Sequence, residues 1–238
     1  MLFEENLSHI LEGYYQEYIR PLVYLDPRNK SKNGNANLFN EHNQTVSFYH
    51  ALRQVFPKAV GWFELSIGKN LPKTPAGRES TNAIDGIVYI PECSCLLIIE
   101  AKGLRRPSKF LAIADDLQRT FGTNRSSTEA IANYRLKLKE KPHHVYAVIL
   151  SDIWSSSERK EHGWEWDIRF DKEDILESRS QCQKAFAQFR ALPGLKDNPS
   201  VQWWSSKTFQ PAPGAPNYRL LALICPLSQA QIDTYHWI

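Results

Sequence analysis

Near the start of the chain, Leu7, Ile10, Leu11, Tyr14, Tyr18, Ile19 and Leu22 recur at helical spacing, which predicts a helical arm over residues 2–24 that packs on something larger. From residue 26 to 40 the pattern gives way to Asn, Lys and Ser with a Gly, a loop composition. A second helix is predicted over 41–56, where Thr45, Phe48, Tyr49, Leu52, Val55 and Phe56 share a face and Pro57 ends the run. Val60, Trp62, Phe63, Leu65 and Ile67 then mark a strand, followed by a polar, basic loop at 68–82. The apolar, β-branched runs 83–90 and 95–101 flank Pro91, Glu92, Cys93 and Ser94, which is the signature of a hairpin whose strands are buried on both faces.

After Gly103 the helical period returns. Phe110, Ile113, Ala114, Leu117 and Phe121 trace one amphipathic helix, and Ile131, Tyr134 and Leu138 trace another with Thr128 as a cap. A short apolar strand is predicted at 145–150. Beyond Ser151, Trp164, Trp166, Ile168 and Phe170 alternate as a strand, 172–192 reads as a helix, and 201–204 and 218–225 read as further strands. The order helix, strand, strand, strand, helix, strand is an α/β plan, a meander followed by a crossover. It divides the chain into a helical arm and loop at 1–40, a core at 41–151 and a C-terminal α+β extension at 152–238, all expected to pack as one domain.

Composition narrows the class. At 238 residues and 42% hydrophobic content the chain resembles ordinary globular proteins. Its formal charge is only +3, yet residues 101–141 alone carry a net +6, leaving about −3 for the remainder. Such asymmetry suits a basic surface facing a polyanion, although a series of solvated helix faces would look the same. Four cysteines, of which only Cys93 and Cys95 are close, make neither a disulfide framework nor a zinc site of usual spacing. No stretch approaches the run of apolar residues that a membrane span needs, and the N-terminus lacks the pattern of a secretion signal. A reduced, cytoplasmic protein with no membrane partner is expected.

The hairpin is where chemistry concentrates. If its turn is centred between Glu92 and Cys93, paired residue numbers sum to 185 and Asp85 falls opposite Glu100. Directly opposed side chains sit about 4.5–5.5 Å apart at Cβ, and residues two apart share a face, so Asp85, Glu100 and Lys102 would meet on one surface. Two carboxylates so close, in strands this apolar, repel and suffer desolvation unless a cation neutralises them. Hard oxygen ligands suit Mg²⁺, or Mn²⁺ in its place, and Lys102 can balance charge and orient a water for phosphodiester hydrolysis. The alternative is an ion pair buried at a strand end.

At these residues the chain resembles the PD-(D/E)xK nuclease superfamily, reading Ile84-Asp85-Gly86, then thirteen residues, then Glu100-Ala101-Lys102, with Ile84 in place of the proline that names the motif. The likeness covers roughly 41–151. It implies a restriction-endonuclease-like core, a metal held by Asp85, Glu100 and the Ala101 carbonyl, a catalytic Lys102, and a nucleic-acid substrate, DNA rather than RNA, cut most readily as an endonuclease. It also suggests that a glutamate of the first helix, Glu41, reaches the site, with Glu64 as a substitute, and that Gln118 lies nearby; each also has a purely structural explanation, helix-dipole complementation in the case of Glu41. Arg105, Arg106, Lys109 and Lys73 are the expected phosphate contacts. A catalytically inactive nucleic-acid-binding or scaffold protein with the same fold, and a hydrolase of small phosphate esters, are the competing readings.

Other groups are better explained by structure. Glu158-Arg159-Lys160 repeats the (D/E)xK pattern in a polar run with no strand around it and reads as a solvated loop. Cys93 and Cys95 read as turn residues. His143 and His144 read as surface or satisfied core residues, and of the adjacent Trp203 and Trp204 at least one is expected in the core, because neighbouring side chains in a strand face opposite ways.

Overall fold

The structure, a computed structural model, describes residues 2–23, 41–66, 83–103, 141–155, 199–207, 209, 217–229 and 232. The N-terminal arm forms α1 (Leu2–Glu5) and α2 (Leu7–Ile19), followed by a 3-10 turn at Arg20–Val23. Periodicity predicts a single helix, whereas the chain breaks at Asn6. There Asn6 Nδ2 donates to the Leu2 carbonyl at 2.8 Å, a local bond that competes with the helical ladder. The next helix, α3, spans Glu41–Val55, one residue short of the predicted end. Pro57 accounts for this, since the residue before a proline is disfavoured in the helical region.

Among the described residues six strands form one mixed sheet: β1 (Val60–Ser66), β2 (Ala83–Ile90), β3 (Cys95–Gly103), β4 (His144–Ser155), β5 (Gln202–Ser205) and β6 (Asn217–Pro226). Their order is β1-β2-β3-β4-β6-β5. Only β3 and β4 run parallel; every other neighbouring pair is antiparallel. β1 to β3 are therefore the predicted meander, and the parallel β4 requires a crossover to reach its place. β3 runs two residues past its predicted end, and β4 is about twice the predicted length.

Alternation assigns the two faces. Val88, Ile90, Leu97, Ile99, Ala101, Tyr146, Val148, Leu150, Leu220, Ala222 and Ile224 pack against Phe3, Leu7, Ile10, Leu11, Tyr14, Phe48 and Leu52 from the helices. At roughly 1.5–3 kcal/mol for each large apolar side chain removed from water, this layer is the main source of stability. The opposite face carries Leu96, Ile98, Val145, Ala147, Ile149, Leu221 and Leu223, which are also buried. Continuous apolar runs, rather than alternating ones, follow from burial on both sides. Helix α3 approaches β2 closely: a Cβ on Gly86 would lie 2.8 Å from Thr45 Cγ2. Among the described residues no helix is long and apolar enough to cross a membrane.

The predicted helices at 110–121, 128–138 and 172–192, the strand at 164–170, the loop at 68–82 and the Glu158-Arg159-Lys160 run lie outside the described residues.

Candidate active site

The β2–β3 hairpin pairs Gly86 with Ile99, Ile87 with Ile98, Val88 with Leu97, Tyr89 with Leu96 and Ile90 with Cys95, so the numbers sum to 185 as the turn position predicts. Pro91–Cys93 forms a 3-10 turn, and Ser94, at φ 49 and ψ 46, is the left-handed residue that redirects the chain into β3. Asp85 and Glu100 are the next pair in this register, and Lys102 follows on the face of Glu100.

The ladder itself stops at Gly86 and Ile99, although both strands continue. Beyond it the Asp85 carboxylate leans across the gap, and its Oδ2 accepts the Ala101 N–H at 2.7 Å. The N–H and C=O of one strand residue point toward the same neighbouring strand. The Ala101 carbonyl is thus directed toward β2 as well, on the side of Asp85. Asp85 and Lys102 are half-buried, while Glu100 is 4% exposed, so its carboxylate has left water at the end of an apolar strand.

Parallel pairing adds neighbours that sequence reasoning passed over. Lys102 is the partner of Ser151 and Glu100 of Ile149 on β4, which places the buried Ser151 beside the motif. One residue on, Asp152 pairs with Gly103 and faces the helices. Its Oδ1 accepts a hydrogen bond from Gln44 Nε2 at 3.0 Å, and Gln44 Oε1 accepts one from the Tyr14 hydroxyl at 3.4 Å. All three side chains are buried, so this chain of polar groups ties α2 and α3 to the end of β4. Burial first, and the Asp152 charge second, push the Tyr14 hydroxyl well above its usual value. Only the position of Asp152 at the end of an apolar strand signals this network in the sequence.

The remaining candidates distribute as follows. Glu41 opens α3, and α3 packs on the face opposite Glu100 and Lys102; the Glu41 side chain lies outside what is described. Glu64 occupies the β1 position facing Asp85, between the pairs Phe63–Gly86 and Leu65–Ile84. It adopts φ 51, uncommon for a residue other than glycine, and its Oε1 lies 3.1 Å from His42 Nδ1 at the start of α3. The left-handed backbone at Glu64 re-aims a side chain that regular alternation would set beside Asp85. Lys73, Arg105, Arg106, Lys109 and Gln118 lie outside the described residues.

Cys93 lies in the hairpin turn and Cys95 begins β3. His143 is exposed and donates its backbone N–H to the Ser94 carbonyl at 2.9 Å. Trp204 packs against the helical core, its ring 6.3 Å from that of Tyr14. Among the described residues no group of three His, Cys, Asp or Glu side chains could hold a metal ion.

Comparison with protein-family models, with curated proteins and with solved structures finds no match.

Proposed function

We propose that the chain is a metal-dependent nuclease of the PD-(D/E)xK kind, hydrolysing phosphodiester bonds, in DNA by preference, with Asp85, Glu100 and Lys102 as its reactive centre. The observation that carries this reading is the hairpin register. It puts two carboxylates from adjacent strands, and a lysine two residues on, at the point where those strands part. The order α3, β1, β2, β3, parallel β4 is compatible with a restriction-endonuclease-like core, which supports the same reading.

The donor set fits Mg²⁺ or Mn²⁺. Asp85, Glu100 and the Ala101 carbonyl offer hard oxygens, and such ions normally take only one or two carboxylates, leaving positions for water and substrate phosphate. Bound there, the ion would supply a water activated at neutral pH and neutralise charge developing on the phosphate. The protein's own part is positional. The Ala101 N–H holds the Asp85 carboxylate in one orientation. Burial of Glu100 strengthens its interaction with any cation that reaches it. Lys102, two residues on from Glu100, would hydrogen-bond the attacking water and offset the carboxylate charges. The Lys and Arg residues of 101–141 would hold the phosphates of the polymer.

The test is cleavage of supercoiled plasmid, linear duplex, single-stranded DNA and RNA with Mg²⁺, Mn²⁺ or EDTA, by wild type, Asp85→Ala and Lys102→Ala. Metal-dependent cutting that EDTA abolishes, and that falls at least about 100-fold in both variants, is the expected result. Wild type that binds nucleic acid in a salt-sensitive way but cuts none of these substrates would favour the binding-protein reading. Turnover of small phosphate esters with no dependence on polymer length would favour the third.

A further inference from the structure

The turn between β2 and β3 holds two thiols separated by one residue. Cys93 ends the 3-10 turn half-buried, Cys95 begins β3 fully buried, and both are free. Cys95 belongs to the core under the helices and Cys93 packs against that same core, so the two thiols lie on one side of the sheet. Ser94 between them has φ 49 and ψ 46, the mirror image of helical values. Helix radius and rise then put the flanking Cα atoms about 5.4 Å apart. That lies inside the window of roughly 4.4–6.8 Å that a disulfide spans. An extended residue at this position would keep both side chains on one face but stretch the Cα separation to about 6.6 Å, near the limit of that window.

The turn is also pinned on both sides. Lys58 N donates to Glu92 Oε1 at 2.9 Å, and His143 N donates to the Ser94 carbonyl at 2.9 Å and to Ser94 Oγ at 3.2 Å. Metal binding is the less fitting use of the pair. His144 is the ladder partner of Cys95, yet among the described residues no third ligand completes a set. Cys95 and Cys225 are buried, whereas Cys93 packs against the core only half-buried and so keeps access to solvent.

We propose that Cys93 and Cys95 are a redox-active dithiol that closes reversibly into an intramolecular disulfide when the protein meets a hydroperoxide. The Cys93 thiolate attacks one peroxide oxygen and the O–O bond breaks. The departing hydroxide takes up a proton as water, and Cys93 is left as a sulfenic acid. Cys95 sulfur then attacks Cys93 sulfur, the S–O bond breaks, and the Cys95 thiol proton leaves with that oxygen as a second water. The two thiols lose two electrons and two protons, and the peroxide is reduced to two waters. Roles follow from the surroundings. The neighbouring Cys95 thiol draws the Cys93 thiol below its ordinary value, while burial first, and the neighbouring Cys93 second, push Cys95 well up. Cys93 is the attacking thiol and Cys95 the resolving one.

This inference is independent of the nuclease reading and is tested on the full chain. Reduced protein is treated with a molar equivalent of hydrogen peroxide, remaining thiols are alkylated, and the tryptic fragment ending at Lys102, which contains both cysteines, is weighed. The expected fragment is two hydrogens lighter than the dithiol and unalkylated, and dithiothreitol restores two alkylation sites. Cys95→Ser should accumulate a sulfenic acid at Cys93 that dimedone captures, and Cys93→Ser should give no disulfide. Recovery of both cysteines as free thiols, or bonding of either to Cys182, Cys225 or a second chain, would overturn the proposal. The wild-type measurement stands whether or not either variant folds.

Discussion

Buried residues, Tyr14, Tyr146 and Cys225 among them, hold protons that the unfolded chain would release, which makes alkaline stability a sensitive readout of side-chain burial. Burial, followed by the Asp152 charge, raises Tyr14. Burial, and then the hydrogen bond to the Glu4 carboxylate at 2.9 Å, raises Tyr146. Burial pushes Cys225 up to about 12. In an unfolded chain cysteine ionises near about 8.5 and tyrosine near about 10. Above those values the unfolded state binds fewer protons than the native one, so stability falls as pH rises. The contribution of these groups is complete below about pH 8.5 and is lost progressively above it, through the raised folded values. Each tyrosine should steepen the loss by about 1.4 kcal/mol per pH unit above about pH 10. Urea unfolding at three alkaline pH values, comparing wild type with Tyr146→Phe, checks this. The variant should show the shallower slope, and equal slopes would mean that the Tyr146 hydroxyl is not held protonated by the fold.

At the scale of elements, the close approach of α3 to the sheet is concentrated at Gly86. A Cβ there would meet Thr45 Cγ2 at 2.8 Å and Phe63 Cδ1 at 3.2 Å, neither of them the far end of a flexible chain. Gly86→Ala should therefore cost about 1–3 kcal/mol by overpacking. Adding Thr45→Ser, which removes the offending methyl and keeps the hydroxyl, should recover part of that loss in denaturant melts. A neutral Gly86→Ala would show that α3 is free to move outward. Elements of this kind were largely legible in advance. The two-residue alternation of β2 and β3 and the Pro-Glu-Cys-Ser turn were enough to set the pairing sum of 185, which the ladder follows from Ile90–Cys95 to Gly86–Ile99. Local competition was harder to read: Phe3, Leu7 and Ile10 keep helical spacing across Asn6, yet the Asn6 side chain interrupts the helix between α1 and α2. The left-handed Glu64 and the Asp85 bond to Ala101 N have no signature in the sequence, because both express strand divergence rather than residue preference. The Tyr14–Gln44–Asp152 chain joins residues 108 positions apart at its longer link, beyond the reach of any periodicity.

For the molecule as a whole, the decisive feature is that β6 lies inside the sheet. It pairs with β4 along ten residues, from Tyr146–Pro226 to Ser155–Asn217, and carries β5 on its other side. Leu220, Leu221, Leu223 and Ile224 are each no more than 2% exposed and are divided between the two faces. At roughly 1.5–3 kcal/mol apiece, their burial is comparable with the entire net stability of about 5–15 kcal/mol expected of a domain. Removing them would also leave β4 as a long apolar edge with unpaired backbone groups, which favours aggregation. Residues 1–155 alone, although they contain Asp85, Glu100 and Lys102, should therefore fail to give a cooperative thermal transition by circular dichroism and should associate in sedimentation velocity. A truncated chain that melts cooperatively and stays monomeric would mean that the hairpin and β4 are self-sufficient, and that the C-terminal strands are an addition to the site's scaffold rather than part of it.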